Sequence, residues 1–154
     1  MSASSSEPPV SDEQVQEDLM RLEAYRNQLQ AVVQQHEILS NSRTEHLRAR
    51  ESLEGVDRAA SGTEFVLPLG GETFVRGSVV KEAPVMLGIG SGVVVEMDRA
   101  KAMELLAERT AKIGQAIRDL EGQAASIDER IQLLSRRLDA VSRGGGGASR
   151  VGGT

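Results

Sequence analysis

The strongest constraint on this chain is an unbroken apolar seam in its C-terminal third. Met103, Leu106, Thr110, Ile113, Ile117, Leu120, Ala124, Ile127, Ile131, Leu134, Leu138 and Val141 step by alternating three and four residues. Only Thr110 and Ala124 are weak members of the series. A repeat sustained beyond about 3–4 heptads marks a coiled-coil helix, whose single apolar stripe must be covered by another helix. Asp98 is placed to cap the start of this helix. Gly144 is expected to stop it, which puts the helix at about 98–142 and leaves 143–154 as a flexible Gly-rich tail.

The N-terminal part supplies a matching partner. Residues 1–10 are polar and Pro-rich, and are read as a disordered head. Ser11 with Gln14 forms an S-x-x-Q capping box, Val10 and Val15 are placed for a hydrophobic staple, and Asp12 and Glu13 favour the positive helix end. Val15, Leu19, Leu22, Leu29, Val33 and Leu47 then follow mostly three-to-four spacing, with Tyr25, Val32 and Leu39 alongside. His36, Arg43 and Arg50 interrupt that seam, so this helix, about 11–57, should be looser towards its end. Two helices of roughly 45 residues, about 65–70 Å each, suit an antiparallel hairpin. Antiparallel pairing also opposes an acidic block (Asp12, Glu13, Glu17, Asp18, Glu23) to a basic one (Arg130, Arg136, Arg137, Arg143). The alternative is that each block merely complements its own helix dipole.

Composition narrows the function classes. With no Trp, no Cys, and only Tyr25, Phe65 and Phe74 as aromatics, a thick globular core is not expected. A formal charge of −5 argues against a general nucleic-acid binder. Without cysteine there is no disulfide framework and no thiolate metal site. The first residues lack the basic and apolar regions of a signal peptide, and no run approaches the roughly 20 apolar residues that span a membrane. A soluble intracellular protein is the expectation.

Between the helices the period changes. Glu64–Leu69 and Thr73–Val80 read as strands around a Gly70-Gly71 turn, and Val85–Gly88 and Gly92–Glu96 as strands around Ile89-Gly90-Ser91. The fold class is therefore mainly α: an antiparallel two-helix coiled coil with two central β-hairpins, within one domain at 11–142. Isolated hairpins are marginal in water, and their open edges should pair with another subunit. Phe65, Val66, Leu67, Phe74, Val75, Val79, Val85, Leu87, Val93, Val94 and Val95 are the residues expected to make that assembly.

Little points to chemistry. Gly88-Ile-Gly-Ser-Gly92 leads into a strand rather than a helix, so it reads as a turn and not a phosphate loop. His36 and His46 lie ten residues apart on different helix faces, which disfavours a shared metal. No carboxylate lies in an expected pocket, so neither catalysis nor a cofactor is expected. Val15, Leu19, Met20 and Leu22 would lie opposite Ile131, Leu134, Leu138 and Val141 at the free tip. Those residues either close the seam or leave a partly exposed apolar strip for binding, where a flexible Met such as Met20 is useful.

The layout of long helix, two β-hairpins and long helix resembles prefoldin, specifically its archaeal-type α class. The most specific residues are Phe65-Val-Leu-Pro-Leu-Gly-Gly71, Phe74-Val75 and Val85-Met-Leu-Gly-Ile-Gly-Ser-Gly-Val-Val-Val-Glu96. Two hairpins mark the α class, whereas the β class has one. The resemblance implies a hexamer of two α and four β subunits joined through the hairpins. It also implies a cytoplasmic, ATP-independent chaperone that holds unfolded polypeptides at the coiled-coil tips and delivers them to a group II chaperonin. The competing reading is an architectural coiled-coil spacer, which would need only a turn where this chain has strands. An enzyme would need a pocket with convergent polar groups, which the sequence does not suggest.

Overall fold

The computed structural model describes residues 10–145, so most of the expected head and most of the expected tail lie outside the described residues. The element order is α1 (Asp12–Arg58), β1 (Glu64–Gly70), β2 (Thr73–Ser78), β3 (Val85–Gly90), β4 (Val93–Met97) and α2 (Arg99–Gly145). Both helices hold 47 residues. α1 starts as its capping signal requires, with the Gln14 N–H donating to Ser11 Oγ at 3.3 Å. α2 starts on Asp98, whose Oδ1 accepts from the Lys101 N–H at 2.7 Å. The expected stop at Gly144 is not observed. Gly144 lacks the left-handed φ of a glycine cap, and the helix runs on to Gly145.

The described residues divide into two compact units, one of residues 10–37 and 118–145, the other of residues 38–117. In the first, the α1 and α2 segments run antiparallel. Asp18 meets Arg137, Tyr25 meets Arg130 and His36 meets Glu121, so partners descend along α2 as they ascend along α1. Leu22, Val32 and Ile127 are buried between them. Each such side chain contributes about 1.5–3 kcal/mol when taken from water.

Every α2 residue of the expected seam is buried or half-buried. The α1 seam differs from expectation. Leu19, Val33 and Leu47 are exposed, while Asp18, Tyr25, Val32, His36 and Leu39, interleaved with Val15, Leu22 and Leu29, occupy the inward positions at alternating three- and four-residue steps. Polar side chains can take seam positions here because each finds a partner across the interface. Asp18 has a guanidinium, His36 a carboxylate, and the Tyr25 ring faces the Arg130 guanidinium at 5.7 Å.

The second unit holds the remaining helix segments and the two hairpins. Asp57 of α1 lies 3.5 Å from Arg99 of α2, and Arg99 also donates to the Val80 carbonyl at 3.1 Å. One guanidinium thus ties the end of α1, the exit of the first hairpin and the start of α2. β1 pairs with β2 and β3 with β4, each as a separate two-stranded antiparallel sheet.

The hairpins are geometric copies offset by 20 residues. Pro68 faces Phe74 as Gly88 faces Val94, and Leu67 faces Val75 as Leu87 faces Val95. In both, the register slips at the residue before the last strand position, Leu69 in one and Ile89 in the other. This bulge moves the turns from the expected places to Gly71-Glu72 and Ser91-Gly92, whose residues all have positive φ, as a tight two-residue hairpin turn requires.

Candidate interaction surfaces

In the first unit, the eight residues expected at the tip separate into two kinds. Leu22 is buried, and Val15, Ile131, Leu134, Leu138 and Val141 are half-buried on the seam side of their helices. Leu19 and Met20 face outward, Met20 with 64% of its surface accessible. They line a shallow cleft of about 430 Å³ on α1, where Gln16, Glu23 and Arg26 supply a polar rim. Leu133, not anticipated from the sequence, is 65% exposed on α2. Its signal was the pair Leu133-Leu134: a seam stepping through Leu134 turns its neighbour to solvent. Of the opposed charge blocks, the cross-helix ion pair is Asp18–Arg137, whereas Glu17 pairs with Arg21 on its own helix. A few large apolar groups among charges can make weak contacts with many apolar partners, without directional demands.

The second unit carries most of the exposed large apolar side chains of the described residues. On the first hairpin, Phe65, Val66, Leu67, Phe74 and Val75 are all exposed, Phe74 to 63%. The ring of Phe65 lies over its cross-strand partner Gly77, where an added Cβ would come within 2.8 Å of the ring. Gly77 is therefore the place where the aromatic side chain folds down across the strands. Both faces of this hairpin remain open.

The second hairpin is covered on one face only. Val85, Leu87 and Met97 are half-buried, whereas Met86, Val93, Val94 and Val95 are exposed. Arg109 of α2 donates from Nη1 to the Gly88 carbonyl at 2.7 Å and anchors this hairpin to the helix. Val79 differs from the other residues expected to assemble. It is buried in its own chain, its N–H donating to Thr63 O and its carbonyl accepting from Gly62, so it closes the base of the first hairpin. Contiguous apolar surface with open strand edges is characteristic of sheets completed by another chain.

Elsewhere the candidate chemistry is dispersed. His36 Nε2 lies 3.3 Å from Glu121 in the first unit, and His46 Nδ1 lies 2.7 Å from the Ser42 carbonyl in the second. Among the described residues no group of three or more His, Asp or Glu side chains is arranged to hold a metal ion. Among the same residues no helix is long and apolar enough to cross a membrane.

Comparison with known proteins gives one consistent match. The family model described as Prefoldin subunit matches residues 25–144. The prefoldin subunit alpha of Methanoculleus marisnigri is 30% identical over 137 residues, spanning 84% of this chain and 91% of that protein. The prefoldin subunit alpha of Methanoregula boonei is 32% identical over 128 residues, spanning 79% and 83%. Among solved structures, a chain of filamentous PFD from Methanocaldococcus jannaschii superposes with a TM-score of 0.64 at 18% identity, covering 75% of this chain and 95% of that one. The prefoldin beta subunit from Thermococcus strain KS-1 gives 0.59 at 24% identity, covering 85% and 93%. At such identities these two structures establish the arrangement of two long helices and central hairpins, and no more.

Proposed function

This chain belongs to the prefoldin family as an alpha-type subunit, and from that premise we propose that it is an ATP-independent holdase. It is a chaperone subunit that oligomerises with other prefoldin subunits. Its complex is a cytoplasmic hexamer of two α and four β subunits, joined through the hairpins. Unfolded polypeptides are held at the coiled-coil tips and passed to a group II chaperonin.

The observation that carries this reading is the surface of the hairpins: Phe65, Phe74, Val93 and Val94 are exposed to water in the single chain. A spacer protein has no use for such a patch, whereas an assembling subunit buries it. The tip supports the client-holding role through the exposed side chains of Leu19 and Met20 on α1 and Leu133 on α2, each too small an apolar surface for a tight complex. Several tips on one particle convert weak contacts into retention by raising effective concentration. Release then needs only a competitor for the same contacts.

The test mixes the full-length chain with the β-type subunit of its own organism. Formation of a hexamer that suppresses aggregation of an unfolded client without nucleotide is the expected result. Removing residues 1–22 and 131–154 should abolish that protection while assembly persists. Full protection by the truncated particle would eliminate the tip as the client surface.

A further inference from the structure

A cavity of about 610 Å³ lies between the second hairpin and the helices of the second unit. One wall is the second hairpin, from Gly88 through the apolar Ile89, Val93 and Val94, and the other is formed by Arg109, Lys112 and Ile113 of α2 with His46 of α1. Arg109 spends one donor on the neutral Gly88 carbonyl. Among the described residues neither Arg109 nor Lys112 has a carboxylate partner, although the chain carries a formal charge of −5. Gly88 has no reason inside its own chain to be glycine. Its φ is not left-handed, and an added Cβ would meet nothing within 4 Å.

A second anomaly lies at the turn of the first hairpin. Glu72 holds a left-handed φ of 58°, at the position where the twin turn has Gly92. Left-handed backbone is unfavourable for a side-chain-bearing residue. Glu72 is exposed, and among the described residues its carboxylate has no ion-pair partner. The fold therefore carries a carboxylate displayed on a left-handed turn, and an open, mostly apolar groove with two cations, Arg109 and Lys112, on its helix side.

We propose that this cavity receives the turn of the first hairpin from a second copy of this chain, the partner's Glu72 meeting Arg109 and Lys112. The inference rests on the reading that the subunit assembles through its hairpins, and it names one contact of that assembly. Related by a two-fold axis, each copy gives one turn and offers one cavity, so the contact closes on itself. Gly88 leaves room for the incoming turn, and opposite charges set its orientation.

This chain has no cysteine, and with a cysteine-free β-type subunit the introduced thiols are the only ones in the particle. Full-length chain carrying Glu72→Cys is mixed with differently tagged chain carrying Lys112→Cys, each in complex with the β-type subunit, and mildly oxidised. A disulfide joining the two differently tagged copies is expected. Lys112 is exposed, so Lys112→Glu leaves the fold intact and should weaken pairing of the copies about tenfold. Glu72→Lys should do the same, and the two reversals together should restore pairing. Gly88→Leu should block pairing by filling the cavity. A particle of full size with no such disulfide overturns the proposal while leaving assembly standing. If the unsubstituted chain forms no complex, the assembly reading fails first and this contact with it.

Discussion

Asp18 and Arg137 meet across the helix seam: the Asp18 side chain is only 6% exposed, and its Oδ2 lies 3.2 Å from Arg137 Nε. The arginine remains half in solvent, so the pair is screened on one side. Removing the arginine alone strands a buried carboxylate, and Arg137→Ala should cost about 1–3 kcal/mol. Asp18→Leu instead continues the apolar series between Val15 and Leu22, and should raise the melting temperature in thermal unfolding. A lower melting temperature for Asp18→Leu would show that the ion pair stabilises the seam more than an apolar contact does.

The start of α2 depends on a single side chain. Because Asp98 Oδ1 accepts from the Lys101 N–H, Asp98→Ala should destabilise by about 1 kcal/mol and Asp98→Ser by much less. The corresponding Ser11→Ala change at α1 should act only on the first turn, at the end of the described chain. Amide exchange read residue by residue separates the two outcomes.

The two hairpin turns should respond oppositely to the same kind of substitution. Glu72→Gly relieves a left-handed residue of its side chain and should stabilise the first hairpin by about 0.5–1 kcal/mol. Gly92→Ala introduces the same problem at a φ of 76° and should destabilise the second hairpin by about 1 kcal/mol. Slowed and accelerated amide exchange in β1–β2 and β3–β4, with unchanged helix content by circular dichroism, are the expected readouts.

At the tip, exposure separates binding from packing. Met20→Glu and Leu133→Glu change outward side chains and should leave the melting temperature within about 1 °C, given that surface substitutions shift stability little. Aggregation suppression by the assembled particle should nevertheless fall several-fold. Leu22→Glu, buried in the seam, should lower both together. Equal loss of protection and stability in all three variants would assign the tip a structural role only.

Much of this fold was readable without coordinates, and what was missed has identifiable causes. The α2 seam was legible because nearly every inward position is aliphatic, so spacing and burial coincide. The α1 seam was displaced because Asp18, Tyr25 and His36 hold inward positions, and their partners Arg137, Arg130 and Glu121 lie 85 or more residues away in sequence. Leu19 and Val33 then attracted the pattern although they face water. The turns were misplaced because the bulges at Leu69 and Ile89 insert a residue that no local composition announces. Leu133 was passed over because its neighbour Leu134 satisfied the heptad.

The 20-residue offset between the hairpins has a consequence for recognition. Strand length, slip and turn repeat closely, so a neighbour sensing main-chain geometry alone meets the same address twice on one subunit. Besides the α2 helix that covers one face of the second hairpin, side chains tell the addresses apart: an aromatic Phe74 against Val94, an acidic Glu72 against Gly92. Strand register makes the two hairpins alike, and their side chains make them distinct. A subunit built in this way keeps its assembly plan in a few side chains, and exchanging those between the hairpins would rewire which neighbour arrives where.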